Sequence, residues 1–191
     1  CIMNANIPIW TICPATQGQI GWRDTDGDKI QDIVDTFPDT VLNPYSPDPT
    51  NTTILTYNGT VTEIPYPNNN PHGTSRDVTI NTITQVQFRI DSSAWINASA
   101  TDGIFDEAAE EFTFFTSSLS LGTHTIEARG INSVGNVETS YSSDTVTIDF
   151  IPPTTFDDYD RSWKTKNFNI NLTATDNLNG VAKISYKINN G

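Results

Sequence analysis

Between Ile54 and Phe150 apolar residues recur at every second position, which constrains this chain more than any other feature. Val86, Phe88 and Ile90 fall on one side of such a run, as do Phe112 and Phe114, Ile126 and Ala128, and Val146, Ile148 and Phe150. The residues between them, Gln87, Arg89, Thr113, Glu127, Arg129, Thr147 and Asp149, are polar. Successive side chains of a strand point to opposite faces, so this period predicts half-buried antiparallel strands. Turn-forming clusters punctuate the runs: Asn68-Asn69-Asn70-Pro71, Asp91-Ser92-Ser93, Ser120-Leu121-Gly122 and Ser133-Val134-Gly135-Asn136. About seven short strands in about a hundred residues predict two sheets packed face to face around one core.

The fold class expected is therefore all-β, an Ig-like antiparallel β-sandwich over residues 51–151. A Cys-Trp-Cys framework is missing from it, so the sandwich is not of the antibody type. Trp95 is expected at a sheet edge. A formal net charge of −13 opposes nucleic acid and anionic membrane surfaces, both of which call for basic patches. No apolar run approaches the roughly 20 residues of a membrane span.

Upstream of the sandwich, Asp24-Thr25-Asp26-Gly27-Asp28-Lys29-Ile30-Gln31-Asp32-Ile33-Val34-Asp35 sets carboxylates at positions one, three, five, nine and twelve of a loop. Calcium is a hard cation that takes about six to eight oxygens in irregular geometry, and a carboxylate at alternate residues suits it. Asp24, Asp26, Asp28, Asp32 and Asp35 are the candidate side-chain ligands, and Ile30 at position seven would add its backbone carbonyl. An EF-hand would need glycine at position six, Glu at position twelve and flanking helices. Lys29 and Asp35 stand at those positions, Gly18, Gly21 and Trp22 offer no helical stripe, and Phe37-Pro38 stops anything regular downstream. The stretch resembles the thrombospondin type 3 repeat, D-x-D-x-D-G-x-x-D-x-x-D, over residues 24 to 35. Lys29 occupies the family's glycine, so a backbone position kept free of a Cβ carries one here, and the resemblance then implies weakened affinity. It also implies an extracellular address and a rigid clip between domains.

Residues 1–22 read as the remnant of a preceding domain. Cys1 and Cys13 in an extracellular chain are most simply a disulfide. A second reading stays open beside it. Cys1-Ile2-Met3 with Cys13 downstream resembles the Met-turn region of metzincin zinc peptidases. The family's HExxHxxGxxH motif is not in this chain, so the resemblance implies catalytic zinc residues upstream of Cys1 in a longer parent chain. Pro38, Pro44, Pro47 and Pro49 predict an extended connector, so residues 23–50 are expected to be a calcium loop and a stiff linker.

Residues 152–191 open after Ile151-Pro152-Pro153 and alternate at Phe168, Ile170, Leu172 and Ala174, then at Ile184, Tyr186 and Ile188. Asn171-Leu172-Thr173-Ala174-Thr175-Asp176-Asn177 with Gly180-Val181-Ala182-Lys183-Ile184-Ser185-Tyr186 resembles bacterial and archaeal Ig-like surface repeats. Ala128 to Val137 is a weaker echo of the same pattern. The resemblance implies tandem sandwiches, the second truncated and least stable.

Two further acidic clusters are weaker candidates. Asp102 to Glu111 lacks strict alternation, and Asp106 to Glu111 suits a solvated helical turn before the Phe112 strand. Asp157-Asp158-Tyr159-Asp160 suits a polar loop at a domain entry. Four N-x-S/T sequons, at Asn51, Asn58, Asn97 and Asn171, fit a secreted chain, though an Asn- and Thr-rich composition generates them by chance. His72 and His124 have no catalytic partner beside them in sequence, and neither a G-x-S-x-G elbow nor a phosphate-binding glycine loop occurs. The function expected is a calcium-stabilised, Ig-like stalk or accessory segment of a secreted or cell-surface protein. The alternative is a module binding a surface glycan or protein partner through Tyr57, Tyr66, Trp95 and Tyr141. Catalysis by this segment itself is the weakest reading.

Overall fold

The computed structural model describes residues 21–68, 76–178 and 180–187. Cys1, Met3, Cys13, His72 and Ile188, with the disulfide and Met-turn readings, lie outside these residues. The described chain forms strands β1 (Pro38–Leu42), β2 (Thr56–Glu63), β3 (Ile83–Ile90), β4 (Ile96–Asn97), β5 (Ser99–Ala100), β6 (Ala109–Phe115), β7 (Gly122–Asn132), β8 (Ser142–Ile148), β9 (Thr154–Asp157) and β10 (Leu172–Thr175). No membrane-spanning helix occurs among the described residues.

Two four-stranded antiparallel sheets make the sandwich, in the orders β1-β2-β6-β5 and β4-β3-β7-β8. With strands lettered A, B, C, C′, D, E, F and G, these are the A-B-E-D and C′-C-F-G sheets of an Ig-like sandwich. The alternation places its inward residues as expected. Val86, Phe88, Phe112, Phe114, Ile126, Ala128, Val146 and Ile148 are all buried, joined by Leu42, Leu55, Tyr57, Val61, Ile83 and Leu119. Phe114 lies at the middle, stacked on Phe88 at 3.9 Å and on Tyr57 at 5.5 Å between ring centroids. Burying each such aromatic stabilises the fold by roughly 1.5–3 kcal/mol. Phe150, in contrast, stands half exposed beyond the end of β8.

The proline-rich stretch is not a linker. Pro38 to Leu42 forms an edge strand paired with β2, with Pro38 opposite Glu63 and Leu42 opposite Gly59. A proline at the first residue of an edge strand removes no ladder bond, which is why the strand tolerates it. The chain then crosses to the other sheet, where Thr50 forms a parallel bridge with Ile148. The sandwich thus starts near Pro38, ahead of the expected residue 51. The open edge between these sheets is closed by side chains. Thr40 N donates to Glu138 Oε1 at 3.2 Å, Leu42 N to Ser142 Oγ at 2.9 Å and Tyr45 N to Asp144 Oδ2 at 2.9 Å.

The Asp106–Glu111 stretch also departs from expectation. It forms a loop and the start of β6 with no helical turn, because the Glu110 carboxylate turns inward and accepts Asp106 N and Glu107 N at 2.8 and 2.7 Å. Downstream, β9 and β10 pair as a two-stranded sheet. Phe168 and Ile170 fall outside β10 and, with Phe156, Ile184 and Tyr186, remain exposed.

Candidate metal centre

The loop at 24–30 is built by its own carboxylates. Asp24 accepts Gly27 N at 2.7 Å and Lys29 N at 3.0 Å, Asp26 accepts Asp28 N at 3.2 Å, and Asp28 accepts Ile30 N at 2.7 Å. Short side chains that bond the backbone two or more residues ahead curl it into successive turns. Two residues take the left-handed conformation, Gly27 at φ 86° and Lys29 at φ 80°. Lys29 holds that conformation with a Cβ, at the position where the repeat has glycine.

The winding brings carboxylate oxygens of Asp24, Asp26 and Asp28 within 4.8 Å of one another, all exposed. Each like-charge pair at that separation costs about 1 kcal/mol in water and more where solvent is excluded. Asp26 and Asp28 each commit one oxygen to the backbone, and their second oxygens take no hydrogen bond among the described residues. Asp32 and Asp35 carry other hydrogen bonds. Asp32 accepts the Thr25 amide at 2.8 Å and its hydroxyl at 2.7 Å. Asp35 accepts Asn136 Nδ2 at 2.7 Å. The donor set fits a hard oxygen-seeking cation: three convergent carboxylates would hold it, and the remaining oxygens would come from water or a small loop movement.

The downstream end of the loop is clasped by the sandwich. Asn81 Nδ2 donates to Val34 O at 2.6 Å and to the Thr36 hydroxyl at 2.9 Å. Asn132 and Asn136 both donate to Thr36 O, at 2.7 and 3.0 Å. The Thr36 hydroxyl in turn donates to Glu63, whose side chain is 2 % exposed and whose Oε1 also accepts Asn132 Nδ2 at 3.0 Å. Among the described residues, Glu63 Oε2 is buried with no partner. These three asparagines carry no periodicity, and only the folded loops gather them.

Other candidate groups resolve into structural roles. Tyr57 is buried in the core, its hydroxyl donating to Asp144 at 2.9 Å; burial, reinforced by that carboxylate, pushes its pKa up. Trp95 carries the Arg129 and Arg89 guanidinium groups at 4.1 and 4.5 Å from its centroid, with Tyr141 edge-on at 5.0 Å. Its π surface is occupied by protein cations, worth roughly 0.5–1 kcal/mol each when exposed. In the Asp157–Asp160 loop, Asp157 pairs with Arg161, Asp160 with Lys164, and Asp158 accepts the Asn171 amide and side chain. The Lys164 ammonium holds Asp160 below the usual carboxylate range.

Sequence reading missed one cluster. His124 Nδ1 lies 2.6 Å from Asp91 Oδ2, and its Nε2 lies 3.4 Å from Ser120 Oγ. The order Ser-His-Asp imitates a hydrolytic triad, but the Ser120 backbone carbonyl sits closer to Nε2, at 3.0 Å. A general base must leave that nitrogen free to take the nucleophile's proton, so the constellation does not activate Ser120. Asp91 comes from a turn 33 residues away, which no sequence window spans.

No family model and no curated protein matches this chain. Among solved structures, the sulfane dehydrogenase SoxCD from Paracoccus pantotrophus is similar over 59% of this chain and 33% of that chain, at 13% identity and a TM-score of 0.39. The chain thus spans about a third of that structure's length. At that distance the likeness carries no argument about activity.

Proposed function

We propose that this chain is a calcium-stabilised structural segment, an Ig-like stalk of a secreted or cell-surface protein. The observation that carries the reading is the convergence of the Asp24, Asp26 and Asp28 carboxylates in a loop whose far end is clasped by Asn81, Asn132 and Asn136. A cation there would remove the repulsion among the three carboxylates and stiffen the approach to β1. The glycan-binding alternative is less well supported, because Tyr57 is buried and Trp95 is covered by arginines. A ligand binding only the folded state stabilises it by about 2.7 kcal/mol at about 100 times Kd. Calcium should therefore raise the melting temperature by several degrees and a chelator should reverse the rise. Asp28→Ala should abolish most of this effect and Asp106→Ala should leave it. No heat on calcium titration together with an unchanged melt would sink the reading.

A further inference from the structure

His124 lies on β7 beside the turn that joins β3 to β4. In that turn Asp91 and Ser92 both adopt positive φ, 49° and 60°, and Ser93 N closes it on Ile90 O at 2.9 Å. Non-glycine residues in that region need outside support. Asp91 supplies it with both oxygens: Oδ1 accepts Thr125 N at 2.8 Å, and Oδ2 faces His124 Nδ1 at 2.6 Å. On the other side of the ring, Nε2 faces the Ser120 carbonyl at 3.0 Å.

The two nearest partners, at 2.6 and 3.0 Å, are acceptors, and the Ser120 hydroxyl stands farther from Nε2, at 3.4 Å. A neutral imidazole has one N–H and one lone pair, so either tautomer would set a lone pair against an oxygen lone pair. With the proton on Nε2, the conflict falls on Asp91 at 2.6 Å; with the proton on Nδ1, it falls on the Ser120 carbonyl. Only the imidazolium donates to both. We infer that His124 is a charged clamp joining the β3–β4 turn to the Ser120 loop, and that the clamp opens when the ring loses its proton.

The surroundings agree. Burial of the ring works against its charge, but the Asp91 carboxylate and the Ser120 carbonyl outweigh it and hold the pKa above the ordinary value. Burial would raise Asp91, yet His124 and the Thr125 amide draw it below the usual carboxylate range. Across the ladder, β8 places Val146 opposite His124 and Asp144 opposite Ile126, while Glu127 follows on β7 itself. Asp91 is the charged group that meets the ring. A raised histidine pKa contributes stability that is complete below about 6.5 and is lost as pH climbs through the higher folded value. A depressed aspartate pKa contributes stability that is lost as pH falls through its lower folded value. The clamp is closed between these limits and opens on the alkaline side, as pH climbs through the raised histidine value.

The decisive measurement is an NMR titration of His124 in a His72→Gln background, which leaves one histidine in the chain. The midpoint should lie above about 6.5, the value for an exposed histidine. Backbone resonances of Asp91, Ser120 and Leu121 should move with the same midpoint. Asp91→Asn should lower the midpoint. Ser120→Ala, which keeps the carbonyl and removes the hydroxyl, should leave it in place. A wild-type midpoint at or below 6.5 overturns the clamp without recourse to any variant. So does a fall in Ser120→Ala as large as that in Asp91→Asn, since the hydroxyl and not the carbonyl would then be the partner.

Discussion

At Gly130 the two sheets approach so closely that a single methyl group decides the fit. A Cβ there would stand 2.7 Å from both Pro38 Cβ and Val61 Cγ2, inside the contact distance of either. Gly130→Ala should therefore destabilise the sandwich by about 1–3 kcal/mol, the range for overpacking, with no loss of strand signal by circular dichroism. Gly59→Ala should cost more, because its Cβ would meet the Val41 carbonyl, and backbone yields less than a side chain. A denaturant melt giving equal midpoints for Gly130→Ala and wild type would refute this close-packed corner. At this scale the sequence was readable wherever a residue obeyed the period of two, as Val86 and Phe112 do. It was unreadable at His124, whose partners are gathered by the register that sets Ile90 opposite Ile126 and thereby brings Asp91 beside Thr125.

Among the elements, β1 and the crossing that follows it depart most from expectation. Their prolines forbid a central strand, but an edge strand needs a ladder on one side only. An exposed edge is a liability, and here side chains of β8 and of the loop before it satisfy its outward donors. Asp144 contributes most, because one oxygen accepts both Tyr45 N and the hydroxyl of buried Tyr57. Asp144→Ala should leave that hydroxyl stranded and lower stability by about 2 kcal/mol. Tyr57→Phe added to it should recover part of the loss, so a double-mutant cycle on denaturant melts should show coupling rather than additivity. Additive effects would mean that the hydroxyl finds another partner. The acidic loop is legible as an element for the opposite reason, since its carboxylate spacing is local in sequence and its turns are closed by its own aspartates.

On the scale of the whole molecule, the sandwich and the loop meet at one buried polar junction. Among the described residues Glu63 is one of the most buried, and one of its oxygens lacks a partner there while three asparagines and Thr36 converge nearby. A loop end held by so many bonds moves with the sandwich, which is why cation binding at Asp24 to Asp28 should register in the global melt. Among the described residues the β9–β10 hairpin has no such support. Two strands with Phe156, Phe168 and Tyr186 exposed bury too little apolar surface to be stable alone. Hydrogen exchange should show the amides of Leu172 to Thr175 exchanging far faster than those of β3 and β7, by a factor of at least about 100. Equal protection would show that the hairpin belongs to the same cooperative unit.

The sequence by itself determined the strand period, the core residues of β3, β6, β7 and β8, and the acidic loop, because each is a pattern among residues a few positions apart. Only the tertiary structure decided that Pro38 to Leu42 closes a sheet, that three asparagines clasp the loop, and that Asp91 and Ser120 flank His124. Those pairings join residues separated by up to about a hundred positions, and nothing short of the packed sandwich, with its one permitted register, brings them within hydrogen-bonding distance.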